Sequence, residues 1–210
     1  LEADLSGVDV LSQSRIFDLR DFDPQATDPD ERGFVTFWDR VVLRFNEDYQ
    51  GDRKVIITSV FPMEDIESRQ PVNQPQGVFK RVGPPITAAE GGGGGLHAHH
   101  QVMFDLSSVP IGERVTLQAV TKAKIPVAMT GHFPFYVNKR TELLTSWLLF
   151  PEDHPYTSYR LVRYPVDQSG PPITMDPRFA IDHPYGTLIG WSVITPKEGT
   201  VYECRWTTQD

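Results

Sequence analysis

At 210 residues and a formal charge of −8, the chain has room for one large domain or two small ones and carries the wrong charge for an extended phosphate-binding face, which excludes nucleic acid as a partner. Its 39% hydrophobic and 23% charged residues are those of a folded protein, and 18 prolines with 16 glycines predict many turns. The single cysteine, Cys204, excludes an internal disulfide framework and most structural zinc sites, which need several thiolates.

No apolar run approaches the roughly 18 to 20 residues of a membrane-spanning helix, so no membrane insertion is expected. The start, LEADLSGVDV, has neither a basic n-region nor an apolar h-region, and it lacks an initiator methionine, as a fragment or processed product would. With one cysteine and no Asn-x-Ser/Thr acceptor, the expected location is cytoplasmic.

Residues 1–13 carry Leu5, Val8 and Leu11 at helical spacing around Gly7 and predict an N-terminal arm or short helix; a brief strand over 15–19 and an acidic loop follow. Val35, Phe37, Val41, Leu43 and Phe45 share one face at period two while Thr36, Arg40 and Arg44 lie on the other, the pattern of a half-buried strand, and Asp39 on the apolar face predicts a bend or bulge. Residues 54–61, KVIITSVF, suit an inner strand, and 62–69 one helical turn. Residues 70–95, rich in Pro, Gln and Gly, predict a long loop within one domain spanning 14–210.

Seven short segments then predict strands: 101–106, 114–121, 133–137, 143–150, 159–166, 188–194 and 201–207. The whole predicts an all-β fold: a two-sheet antiparallel sandwich, jelly-roll-like or immunoglobulin-like, with little helix and with Trp191 and Trp206 in its core. Phe150, Asp153, His154, Pro155 and Tyr156 recur at the same spacing as Phe179, Asp182, His183, Pro184 and Tyr185. The pattern suits paired turns leading into strands; a sharper alternative pairs His154 with His183 as ligands.

The stretch Gly91 to Leu106 runs from five glycines into three histidines. As a strand it places His97 and His99 on one face, about 7 Å apart, where two imidazoles could chelate a divalent metal with ligands from elsewhere. Gly91, His97, His99, Asp105 and Gly112 resemble the first motif of the cupins, metal-binding jelly-roll barrels, with Asp in place of Glu and one extra residue before it. Pro126, Gly131, His132 and Asn138 resemble the second. The resemblance covers about 50 residues, and it implies His97, His99, His132 and Asp105 as ligands to Fe, Mn, Zn or Ni, with open positions for substrate or water.

Gly-x-Ser-x-Gly, Walker, dinucleotide and His-Glu-x-x-His signatures are missing, and Cys204 in VYECRWT reads as a small core residue. The first expectation is therefore a non-catalytic binding or interaction module, a domain of a larger protein or a subunit of an assembly, taking a protein partner or self-associating. A cupin-like metal-dependent enzyme acting on a small molecule is the second, and a structural coat or filament subunit the third.

Overall fold

The computed structural model describes residues 7–23, 26, 28, 33–51, 53–59, 63–67, 77–81, 100–123, 131–176 and 180–208. It is all-β, with no helix among the described residues. In chain order the strands are β1 (Val8–Asp18), β2 (Val35–Phe45), β3 (Lys54–Ser59), β4 (Met63–Glu67), β5 (Gly77–Arg81), β6 (His100–Asp105) and β7 (Arg114–Ala123). There follow β8 (His132–Val137), β9 (Thr141–Leu149), β10 (Tyr156–Pro165), β11 (Ile173–Thr174), β12 (Ala180–Asp182), β13 (Leu188–Ile194) and β14 (Thr200–Thr208).

These strands form three sheets, where the sequence predicts two. A seven-stranded sheet runs β12-β13-β9-β1-β2-β7-β4, a four-stranded sheet β11-β10-β14-β8, and a three-stranded sheet β3-β6-β5. The large sheet is mixed rather than antiparallel, because β1 and β9 pair in parallel. A parallel pair needs a crossover rather than a hairpin, and more than a hundred residues separate these two strands in sequence, so no local signal announces it.

Both smaller sheets pack on the same face of the large one. Val35, Phe37, Asp39, Val41, Leu43 and Phe45 are alternate residues of β2, whose register with β7 is unbroken, so all six share a face. Val35 and Phe37 belong to one core, with Phe133, Phe135, Leu161, Tyr202 and Cys204 of the four-stranded sheet. Val41, Leu43 and Phe45 belong to a second, with Val55 and Phe104 of the three-stranded sheet. In the first core Phe17 stacks on Phe133 with ring centroids 4.3 Å apart, a contact worth about 0.5–1.5 kcal/mol beyond the area it buries.

Asp39 lies between the two cores and produces no bulge in β2. Its cross-strand neighbour Arg15 pairs with it, Nε to Oδ1 at 2.5 Å, and the ion pair takes the place of the expected bend. Beside it Gln13 Nε2 donates to Thr141 Oγ1 at 2.9 Å, so a hydrogen-bonded polar seam divides the apolar face.

The bulge falls instead in β1, between Val10 and Ser12. It breaks the alternation at Leu11, leaving Val10, Gln13, Arg15 and Phe17 opposite Leu43, Val41, Asp39 and Phe37. That irregularity hides a central strand where the spacing predicts an arm or short helix over 1–13; residues 1–6 lie outside those described. The helical turn expected over 62–69 is likewise the edge strand β4, where pairing with β7 overrides the weak strand propensity of MEDIE. The expected loop 70–95 contains β5, paired with β6.

Gly190 faces away from the cores, opposite Trp147, and a Cβ there would collide with the Trp147 ring. Gly190→Ala should therefore cost about 1–3 kcal/mol by overpacking. At roughly 2–4 °C per kcal/mol for a chain of this size, calorimetry should show a clear fall in Tm, whereas Gly112→Ala, with open space around the position but a left-handed φ, should cost less.

Candidate functional site

The residues with the expected metal-ligand spacing are spread apart. His97 and His99 lie outside the described residues. Asp105 ends β6 in the three-stranded sheet, exposed, with its carboxylate accepting the Ser107 backbone N–H at 3.0 Å; that bond holds its pKa below the ordinary aspartate value. His132 opens β8 in the four-stranded sheet. Among the described residues no group of three or more His, Cys, Asp or Glu is placed to hold a metal.

His132 is part of a different arrangement, one that no sequence motif marks. Glu203 of β14 is almost fully buried, yet it points away from the core that its neighbours Tyr202 and Cys204 fill. Its Oε1 lies 2.8 Å from His132 Nδ1 and its Oε2 accepts Arg205 Nε at 2.6 Å. Burial pushes the Glu203 pKa up, but the two hydrogen bonds and the Arg205 charge outweigh it and hold the carboxyl below the usual glutamate value. An ionised carboxylate only accepts, so Nδ1 of His132 carries the proton. Burial, followed by the Glu203 charge, raises the Tyr136 hydroxyl and pushes Tyr164 up to about 12, so both phenols stay neutral at physiological pH. With each oxygen of Glu203 bonded, the cluster satisfies a buried charge and fixes the orientation of the imidazole. Alternation within VYECRW could have flagged Glu203 as the one acid in an apolar run.

The two Asp-His-Pro-Tyr repeats dock on one another. Gly186, just after the second copy, bonds its N–H to the His183 carbonyl in a tight turn and its carbonyl to the Tyr156 N–H of the first. Its φ of +71° and the closeness of Tyr156 and Pro155 admit no side chain. His183 Nδ1 faces Thr187 Oγ1 at 3.3 Å and His154 faces Asp153 at 4.0 Å, so each histidine contacts its own turn.

The most distinctive surface is the side of the large sheet turned away from both cores. Register neighbours Ile181 (β12), Gly190 (β13), Trp147 (β9), Ile16 (β1), Trp38 (β2) and Val120 (β7) form one continuous row across six strands. Trp147 covers Gly190, while Ile181 and Trp38 remain 64% and 39% exposed. Ile194 and Leu143, neighbours nearer one end of the sheet, add 78% and 38% exposed apolar side chains to the same face. A solvated sheet face ordinarily carries polar residues at these positions.

No family model matches the chain, and no curated protein matches it. Among solved structures it is similar to a candidate protease from Parabacteroides distasonis, at 13% identity and a TM-score of 0.48, over 96% of this chain and 40% of that one. It is also similar to native yeast LTA4 hydrolase (7% identity, TM-score 0.49, 96% and 30% covered) and to the same enzyme with Bestatin (8%, 0.48, 99% and 29%). The chain thus spans two fifths or less of each of these proteins, and likenesses below a TM-score of 0.5 carry nothing about what it does.

The Glu203 cluster sets a pH signature. A carboxyl whose folded pKa is depressed contributes stability above its unfolded pKa and loses it as pH falls through the folded value. Glu203→Gln should cost about 2–3 kcal/mol at neutral pH, since it weakens two charge-assisted bonds at a buried site. Urea unfolding at stepped pH should show the gap to wild type closing as pH drops below the ordinary carboxylate range.

Proposed function

We propose that the chain is a non-catalytic binding module that takes a protein partner on the outward face of its seven-stranded sheet. The observation that supports this reading is the apolar row from Ile181 through Trp147, Ile16 and Trp38 to Val120. An outward apolar row that is exposed at Ile181 and Trp38 and half-exposed at Ile16 and Trp147, rimmed by polar positions such as Ser14, Thr145 and Ser192, is the kind of surface that marks interaction sites. Tryptophan at the centre of such a patch supplies the large, rigid contact that dominates binding energy. The reading needs only a broad β-face and no particular jelly-roll or immunoglobulin topology. The partner would present a complementary apolar centre with a polar rim.

A photo-crosslinking residue, benzoylphenylalanine, in place of Trp38 tests this. Irradiation should give a discrete protein–protein adduct, in purified solution if the partner is a second copy and only in extract if it is another protein. Ile181→Asp should reduce the adduct several-fold, while the same probe at exposed Arg163, on the four-stranded sheet, should yield none. No discrete adduct, or equal yields from both positions, would overturn the reading.

A further inference from the structure

The outward face of the large sheet carries a symmetry of its own. Of its seven described strands β1 stands in the middle, with three on either side. Outward from Ile16 of β1, the apolar row meets Trp147 and then Gly190 on one side, Trp38 and then Val120 on the other. The row is close to a palindrome about its central strand, tryptophan answering tryptophan. Four residues back along β1, Ser12 is flanked by Leu143 and Val42, again an apolar residue on each side.

The complement of such a face is its own copy turned by a two-fold axis, because an isologous interface sets residue i on j and j on i. An axis lying between the two faces along β1 places β9 of each copy over β2 of the other, and β13 over β7, with position along the strands unchanged. Ile16 then meets Ile16, Trp147 meets Trp38, and Leu143 meets Val42.

Charge follows the same arrangement. Along 143–149 of β9 and 188–194 of β13 every outward residue is apolar or carries only a hydroxyl, whereas Arg40 and Lys122 lie on β2 and β7. The axis sets Arg40 over Thr145 and Lys122 over Leu188, so neither cation meets a like charge. Asp18 falls on the axis opposite its own copy, but each carries its counter-ion, Arg20 Nη2 at 2.6 Å. An axis along the row itself would instead carry Leu143 and Ile194, 38% and 78% exposed, beyond the end of β9 and the start of β13.

Six strands at about 4.8 Å and seven residues at about 3.3 Å give roughly 500 Å² per copy, about 1,000 Å² in the pair, the lower bound for a specific interface. That size fits a reversible dimer rather than an obligate one.

We propose that the partner is a second copy of this chain, stacked face to face about a two-fold axis along β1 so that Trp147 of each copy meets Trp38 of the other. The inference rests on the reading of this face as an interaction surface and adds its occupant and register.

Sedimentation of the purified chain should show reversible growth from 23.8 kDa toward twice that mass as concentration rises through the micromolar range. Benzoylphenylalanine at position 38 of the purified chain should give an adduct of two chains, its crosslink mapped by mass spectrometry to 143–149 of the second copy. Thr145→Arg, which sets two cations against each other across the interface, should weaken dimerisation about tenfold. Adding Arg40→Glu to it should restore the dimer, a rescue that a folding defect would not show. An adduct formed only in extract would overturn the second copy as occupant and leave the face an interaction surface; no adduct in either would overturn both. A monomer at every concentration, a crosslink to β2 in place of β9, or no rescue by the double variant would overturn this dimer.

Discussion

A carboxylate in the middle of an apolar strand face is the constraint on which this architecture turns. Asp39 occupies the inner face of β2 with two hydrophobic side chains on one side of it and three on the other. Burying a lone charge there would be costly, and Arg15, directly across in β1, offsets that cost at 2.5 Å while resting among three phenylalanine rings. The pair does more than neutralise a charge. It splits one sheet face into two apolar fields, and each field is covered by its own small sheet, four-stranded over one and three-stranded over the other.

The large sheet is apolar on both sides along part of its width. Ile16 and Phe17, Trp38 and Phe37, and Trp147 and Leu148 are consecutive residues facing opposite ways, so the inner member of each pair packs in a core while the outer member joins the exposed row. Antiparallel sheets with one solvated face usually alternate apolar with polar, and a sheet apolar on both faces is expected as an inner layer. Gly190 accentuates this, because its missing side chain lets the Trp147 ring lie flat across two strands and enlarges the apolar surface. Among the described residues some outer strands are blunted: β8 carries Pro134, which cannot donate to an added strand, and β11 and β12 are two and three residues long.

Much of the fold was legible in the chain, and the failures have physical causes. Segments with clean alternation or dense β-branched residues, such as β2, β7, β13 and β14, appear where their periodicity places them. β1 was hidden because Leu5, Val8 and Leu11 fall at helical spacing in the sequence while the bulge between Val10 and Ser12 breaks the period-two alternation, and β4 by an acidic composition that only pairing with β7 turns into a strand. Of the candidate ligands, Asp105 and His132 stand on different sheets, each already engaged by a neighbour, while His97 and His99 lie outside the described residues. Glu203 and the outward row escaped because each owes its significance to strands distant in sequence.

By itself, then, the sequence determined the all-β class, most strand positions, the burial of Cys204 and Trp191, and the turns around each Asp-His-Pro-Tyr repeat. These depend on period-two alternation and local turn chemistry, which act over a few residues. Only the tertiary structure decided that the described strands form three sheets, that β1 runs parallel to β9, that Asp39 is answered by Arg15, and that Ile181, Trp147, Ile16, Trp38 and Val120 line up. Strand pairing brings together residues up to 165 positions apart, as between Ile16 and Ile181, and that register is set by the packing of whole sheets rather than by any pattern a single segment carries.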